Sequence, residues 1–278
     1  ICYTGDAKGV PIRCTQNPTM GEEWRRGWHP ETIDPISPGG TNSKVLIIGA
    51  GPAGLEAARA LGQRGYDVIL AESTRQLGGR VTREAALPGL SEWARVRDYR
   101  VQQIEQMPNI EVFRESRMSA DDVLSVGADH VAVATGATWR TDRFNGSHYL
   151  PVVAPGSAVQ IFTPDHIMAG RLPEGPVLIF DDDNFYMGGV LAERLRHAGL
   201  PVTIVTPVDL ISAWCAHTAE RRRIERRLLE LDVEMITGHD LISFDGAAAR
   251  LNCSFTARER RVAVEAIVMV TQRSPNDA

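Results

Sequence analysis

Six consecutive residues, Gly49-Ala50-Gly51-Pro52-Ala53-Gly54, and a later carboxylate, Glu72, have the types and spacing to hold a nucleotide diphosphate. Gly49 permits a tight turn, Gly51 lets the backbone approach a pyrophosphate with no Cβ in the way, and Gly54 allows close packing of helix on strand. Pro52 and Ala53 would open that helix, whose unpaired N–H groups and positive dipole end face the diphosphate. Glu72, with Ser73 beside it, falls at the end of the next strand. A carboxylate there accepts hydrogen bonds from ribose hydroxyls, and its charge disfavours a 2′-phosphate. The alternative is a glycine turn that holds no ligand.

Two further glycine features follow. Leu77-Gly78-Gly79-Arg80 can bring backbone N–H groups and one guanidinium to a phosphate or a flavin edge. Ala134-Thr135-Gly136 closes a strand, where ligands sit in open α/β sheets. Alone, each reads equally well as a tight turn. A third run, Asp181-Asp182-Asp183-Asn184-Phe185-Tyr186, occupies the corresponding turn in the second half of the chain. Three carboxylates would repel a diphosphate, and Phe185 and Tyr186 would block backbone approach. A metal at this run lacks further ligands nearby. Of the four cysteines, Cys215 and Cys253 read as ordinary thiols. Cys2 and Cys14 are unrelated on spacing alone.

These groups need a scaffold, and the hydrophobic pattern supplies one. Val45–Ile48 is a continuous apolar run, as expected of a strand buried on both faces of a parallel sheet. Pro52 to Arg64 has helical periodicity, with Leu55, Ala58 and Leu61 on one stripe and Gly65 as its stop. Val68–Ala71, Ile110–Phe113 and Asp129–Ala134 are strands, and Trp93 to Met107 is a helix ended by Pro108-Asn109. After Pro173-Glu174-Gly175 the alternation repeats. Val177–Phe180 and Val202–Val205 flank a helix from Met187 to His197, and a charged helix covers Thr218 to Leu231. Val233–Thr237, Ile242–Phe244, Arg250–Phe255 and Ala266–Val270 supply further strands. The pattern predicts an α/β fold with two Rossmann-like, doubly wound nucleotide-binding domains in three layers on parallel sheets.

The expected divisions are 1–43, 44–155 and 156–278. The first of these is irregular in pattern, with Trp24, Trp28 and Pro30 marking a segment that packs on something else. Ile36 to Thr41 reads as a linker, and 156–173 as the connection between domains. Net charge −5, with 43% hydrophobic and 23% charged residues, argues against nucleic acid or an acidic membrane as partner. Arg221-Arg222-Arg223 and Arg226-Arg227 interleave with Glu220, Glu225 and Glu230, as on a solvated helix face. With no apolar run of spanning length and no signal-peptide pattern, a cytoplasmic setting is expected.

Several stretches together resemble the C-terminal half of the trimethylamine dehydrogenase family, in the larger group that contains dienoyl-CoA reductase. They are Arg13-Cys14-Thr15-Gln16-Asn17, Glu22–Glu31, Ala86-Leu87-Pro88-Gly89-Leu90 with Glu92-Trp93, Asp98-Tyr99-Arg100, and Ala134-Thr135-Gly136-Ala137-Thr138-Trp139. The run Asp181–Gly189 looks like the amine dehydrogenase branch. The resemblance covers essentially the whole chain. It implies a (β/α)₈ barrel carrying FMN, a [4Fe–4S] cluster, and two nucleotide-fold domains of the glutathione reductase type. In the amine branch the first such domain holds ADP, whereas in the reductases it holds FAD and the second binds NADPH.

On this resemblance Cys2 and Cys14 match the third and fourth cluster cysteines. A four-iron cluster needs four thiolates, and the first two would lie upstream of Ile1. Both chain ends look cut, and the barrel and a late Gly-Asp strand that completes the first nucleotide site are outside the sequence. No catalytic residue is therefore expected in this chain, and alone it should be inactive. The intact protein is expected to be a homodimer that oxidises a small amine and passes electrons to an electron-transfer flavoprotein. The alternatives are part of an enoate reductase using FAD and NAD(P)H, and a purely structural nucleotide-binding module.

Overall fold

The computed structural model describes residues 2–17, 19–27, 33–37, 41–141, 152 and 159–276. Trp28, Pro30, residues 38–40 of the linker and the start of the 156–173 connection lie outside the described residues. The chain forms two compact units, Ile1–Ala137 with Pro275–Ala278, and Thr138–Ser274.

In the first unit, α1 (Cys2–Ala7) and α2 (Glu23–Arg26) precede β1 (Lys44–Ile48), α3 (Pro52–Gln63) and β2 (Asp67–Ala71). Then come α4 (Arg80–Glu84), α5 (Ala94–Glu105), β3 (Ile110–Phe113), α6 (Ala120–Ser125), β4 (His130–Val133) and the start of β5 (Ala137–Trp139). The sheet is parallel, in the order β3-β2-β1-β4, with Ile48 level with Ala71 and Val133. Val45, Ile47, Val68 and Leu70 pack with Leu55 and Ala58 of α3 and Ile104 of α5 as one core. That is why Val45–Ile48 of β1 is apolar.

Helix α3 starts on Pro52, whose fixed φ suits the first helical position. It ends at Gly65 with φ +88°, a conformation that favours glycine. Asn109 Nδ2 supports the chain where α3 ends, donating to the Gly62 carbonyl in its last turn and to the Tyr66 carbonyl beyond the helix, at 2.9 and 2.8 Å. Glu56 binds α3 to α5, accepting from Arg59 Nη2 at 2.7 Å and Arg100 Nε at 2.8 Å.

The second unit repeats this plan. It contains β6 (Gln160–Phe162), α7 (Pro164–Met168), β7 (Val177–Asp181), α8 (Tyr186–His197), β8 (Val202–Val205), α9 (Arg221–Glu230) and β9 (Glu234–Ile236). After these come β10 (His239–Phe244), β11 (Ala248–Cys253), β12 (Glu259–Ala263), β13 (Ala266–Val270) and β14 (Arg273–Pro275). The parallel sheet runs β6-β13-β7-β8-β9, and β10-β11-β12 form an antiparallel sheet beside it. Every residue of β7 and β13 is buried.

Among the elements that differ from the sequence pattern, two do so for reasons visible in the local backbone. The charged helix is split, because Ala219 takes φ +60° between a 3₁₀ turn at Ala213–Thr218 and α9. Strand β11 begins at Ala248, two residues before Arg250, because Asp245 Oδ1 accepts from the N–H groups of Ala247 and Ala248 and sets the turn there.

Asn109→Ala leaves the Gly62 carbonyl to the Gly65 N–H and removes a donor from the Tyr66 carbonyl. It should lower the unfolding free energy by about 1–3 kcal/mol, read from urea melts at fixed pH.

Candidate functional site

In the first unit, β1 delivers the chain into the turn at Gly49, whose φ is +99°. A Cβ there would stand 2.5 Å from the Ala134 carbonyl oxygen, so the turn presses on the end of β4. At Gly54 a Cβ would stand 1.9 Å from the Gly49 oxygen, which only a bare Cα permits. Gly51 is the opposite case: nothing lies within 4 Å of its added Cβ. It is the N-cap of α3, and no side chain caps the helix. The open position and the uncapped first-turn N–H groups therefore coincide, and Pro52 and Ala53 beside them are exposed. That is the arrangement an anion needs.

The second glycine pair joins this turn. Gly78 donates its N–H to the Ala50 carbonyl at 2.8 Å, and a Cβ on Gly79 would lie 3.1 Å from Gly51 Cα. The glycines read separately from sequence are thus neighbours. Arg80 opens α4 and turns its guanidinium to the Ala137 carbonyl at 3.1 Å and to Glu84 at 3.4 Å. Thr135 and Gly136 are exposed at the end of β4, and Asn276 pins them. Its backbone N donates to the Gly136 carbonyl at 2.9 Å and its Nδ2 to Thr135 O at 3.1 Å, while Thr135 Oγ1 donates to the Asn276 carbonyl. No local sequence signal points to Asn276, because the contact spans most of the chain.

Glu72 is 6% exposed and ties the turn to the end of β2. Oε2 accepts from Ala50 N at 2.8 Å. Oε1 accepts from Thr74 N and Oγ1, both at 2.9 Å, and from Ser73 Oγ at 3.2 Å. Burial pushes this carboxyl up, but the N–H groups of Ala50 and Thr74, with the two hydroxyls, outweigh it and hold the pKa below the ordinary value.

The second unit builds the same strand, turn and helix differently. Asp181 ends β7 with no exposure, and Oδ1 accepts from Asn184 N at 3.0 Å. Its Oδ2, which has no hydrogen-bond partner, lies where a Cβ on Gly188 would stand at 2.5 Å. Burial first, then Asp183 and Asp182, push the Asp181 pKa up to about 8. This carboxyl is thus uncharged at neutral pH, and it is turned under α8 rather than toward an incoming ligand. Asp183 pairs with Arg273 at 3.4 Å, and Phe185, 41% exposed, stacks on Trp214. Asn184, at φ +58°, is locked by Thr206 Oγ1, which donates to Asn184 Oδ1 at 2.9 Å.

Cys14 is a free, half-buried thiol whose Sγ accepts from Gln16 N at 3.4 Å. The N–H groups of Asn17 and Gln16 lower its pKa. Cys2 begins α1, and its side chain lies outside what the structure describes. Among the described residues no group of three or more His, Cys, Asp or Glu side chains could hold a metal ion, so these residues by themselves do not fit a four-iron cluster. None of the helices among them is long and apolar enough to cross a membrane.

Gly54→Ala forces a Cβ into backbone and should cost about 1–3 kcal/mol in chemical melts. Asp181→Asn should change how stability depends on pH. Unfolded, this carboxyl titrates near 3.8, while folded it holds its proton to about 8. The stabilisation is full below the lower value and is lost as pH rises to the upper one. The amide should flatten that slope and raise the melting temperature at pH 7–8, as thermal melts across the range would show.

Residues 43–278 match the pyridine nucleotide-disulphide oxidoreductase family. The chain is 40% identical over 235 residues to dimethylamine dehydrogenase of Hyphomicrobium sp. (strain x), a span of 82% of this chain and 31% of that protein. Among solved structures it is similar to histamine dehydrogenase from Rhizobium sp. 4-9, at 45% identity and TM-score 0.93, covering 100% of this chain and 42% of that one. It is also similar to 6-hydroxypseudooxynicotine amine oxidase from Pseudomonas geniculata N1, at 40% identity and TM-score 0.93, covering 99% and 41%. The chain spans less than half the length of each of these relatives. With its paired strand-turn-helix units and this match along both, the chain belongs to the pyridine nucleotide-disulphide oxidoreductase family.

Proposed function

We propose that this chain is the nucleotide-holding part of a longer amine dehydrogenase-like oxidoreductase, and that it binds ADP on the Gly49–Gly54 turn. The observation that carries this reading is the open face at Gly51, set at the uncapped N-terminus of α3 with Gly79 packed beside it. The first-turn N–H groups would take the diphosphate. Pro52 and Ala53 would line its approach, and Arg80 and the Thr135-Gly136 strand end would border it. Glu72 would orient the ribose, whose hydroxyls would replace the bonds that Ser73 and Thr74 now make to Oε1. ADP supplies no redox chemistry, so its role is to bind and order this unit.

ADP is favoured over FAD by the second unit. A reductase that uses FAD draws its electrons from a nicotinamide nucleotide, and that ligand needs a diphosphate turn of its own. Here the turn is filled by Asp181 and faced with Phe185. The amine dehydrogenase and amine oxidase named above support the same branch. On that reading the intact protein is a homodimer that oxidises a small methylamine through FMN and a [4Fe–4S] cluster, with Cys2 and Cys14 supplying two of the four cluster thiolates. An electron-transfer flavoprotein would be its acceptor.

Denaturing the purified protein and identifying the released nucleotide by chromatography tests the choice. ADP is the expected product, whereas FAD would transfer the reading to the reductases. Gly51→Val should weaken ADP binding in calorimetry by about tenfold or more, equivalent to ~1.4 kcal/mol. Its melting temperature should stay close to that of the parent, because the added Cβ has open space around it. Unchanged affinity would remove ADP from this turn.

A further inference from the structure

Arg100 is 5% exposed, and its guanidinium serves three segments of the first unit. Nε donates to Glu56 Oε2 on α3 at 2.8 Å, Nη1 to the Val96 carbonyl of α5 at 2.9 Å, and Nη2 to the Thr15 carbonyl at 3.2 Å. Thr15 follows Cys14 directly. Glu56 lies on the turn of α3 that follows Pro52, immediately behind the N–H groups that face the open position. One buried cation therefore connects the Cys14 turn to the nucleotide helix. A second tether, from Gln16 Nε2 to the Arg95 carbonyl at 2.9 Å, fixes the same turn to α5 alone.

Charge balance does not explain Arg100. Arg59 already grips both Glu56 oxygens, at 2.7 and 3.1 Å, so Glu56 would keep a partner without Arg100. What Arg100 adds is the Thr15 carbonyl, and only a planar fork with several donors reaches all three acceptors at once.

We propose that Arg100 is a positioning residue that couples the nucleotide turn to the Cys14 turn. The inference rests on the nucleotide reading of Gly49–Gly54. An anion at the N-terminus of α3 suppresses local opening of its first turns. Glu56 and Arg100 carry that ordering to Thr15 and so to Cys14. The coupling is reciprocal, so ordering the Cys14 turn raises nucleotide affinity by the same factor.

Hydrogen exchange read by mass spectrometry, with and without saturating ADP, tests this in the parent chain, Arg100→Gln, Arg100→Lys and Gln16→Ala. In the parent, ADP should slow exchange at residues 51–55, and at residues 14–17 by about fivefold, the low end of usual coupling energies. Arg100→Gln should keep the first effect and lose the second. Arg100→Lys keeps the charge but not the fork, and provides the same contrast if the glutamine variant folds poorly. Gln16→Ala should retain the ADP effect at 14–17. Protection of 14–17 that survives in both Arg100 variants overturns the coupling. So does a parent chain in which ADP protects 51–55 and leaves 14–17 unchanged. Protection at neither segment overturns the nucleotide reading and takes the coupling with it.

Discussion

The carboxylate of Glu72 is the constraint on which the first unit's site depends. A glycine turn has no side chains to hold its own shape, and its N–H groups would otherwise choose among many conformations. Here the Ala50 N–H is fixed by Oε2 from the end of the neighbouring strand. The Ala50 carbonyl is fixed from the other side by the N–H of Gly78. One residue is thereby held through both of its backbone polar groups, and the Cβ position of the next, Gly51, is left open. The cost of burying a charge is met by four short-range donors, which is why the group can be ionised and nearly inaccessible at once.

The two units show how one backbone plan can be kept with opposite consequences. In both, a glycine in the first turn of the helix, Gly54 or Gly188, admits something that a Cβ would exclude. In the first unit the guest is the Gly49 carbonyl, and the turn stays thin and open. In the second it is the Asp181 carboxyl, whose burial there pushes its pKa up to about 8. Above it, Asn184 and Ser212 adopt left-handed backbone conformations, and Phe185 and Trp214 stack at the surface. Gly188 is therefore a packing requirement of Asp181.

Much of this was legible from residue types. The two-unit α/β plan follows from apolar runs and helical stripes, because burial on both sheet faces leaves strands such as Val45–Ile48 no polar alternative. The glycine turn was legible because Gly49 and Gly54 each answer a steric demand that the structure displays atom by atom, while Gly51 leaves its position open. What could not be read were facts of orientation and distance. Nothing local says that Asp181 turns inward while Asp183 meets Arg273, or that Gly79 lies on Gly51. Strand β12 carries Glu259, Arg260 and Arg261 on exposed positions and shows no apolar run; its place is set by pairing with β11. Helix α6 has a capping box, Ser119 with Asp122, but no buried residue to complete an amphipathic stripe.

The hydrogen bonds of Asn276 to Thr135 and Gly136 bear on the order in which the molecule is made. The first unit is discontinuous, with the whole of Thr138–Ser274 lying between its two segments. During synthesis the chain emerges from the ribosome amino end first, and compact units fold as they become complete. The intervening unit is thus available to fold before the segment that returns to its host at Pro275 exists. The strand end at Thr135-Gly136 stays untethered until Asn276, 141 residues after Thr135, has been translated, so the border of the Gly49–Gly54 turn is secured well after the turn itself has been made.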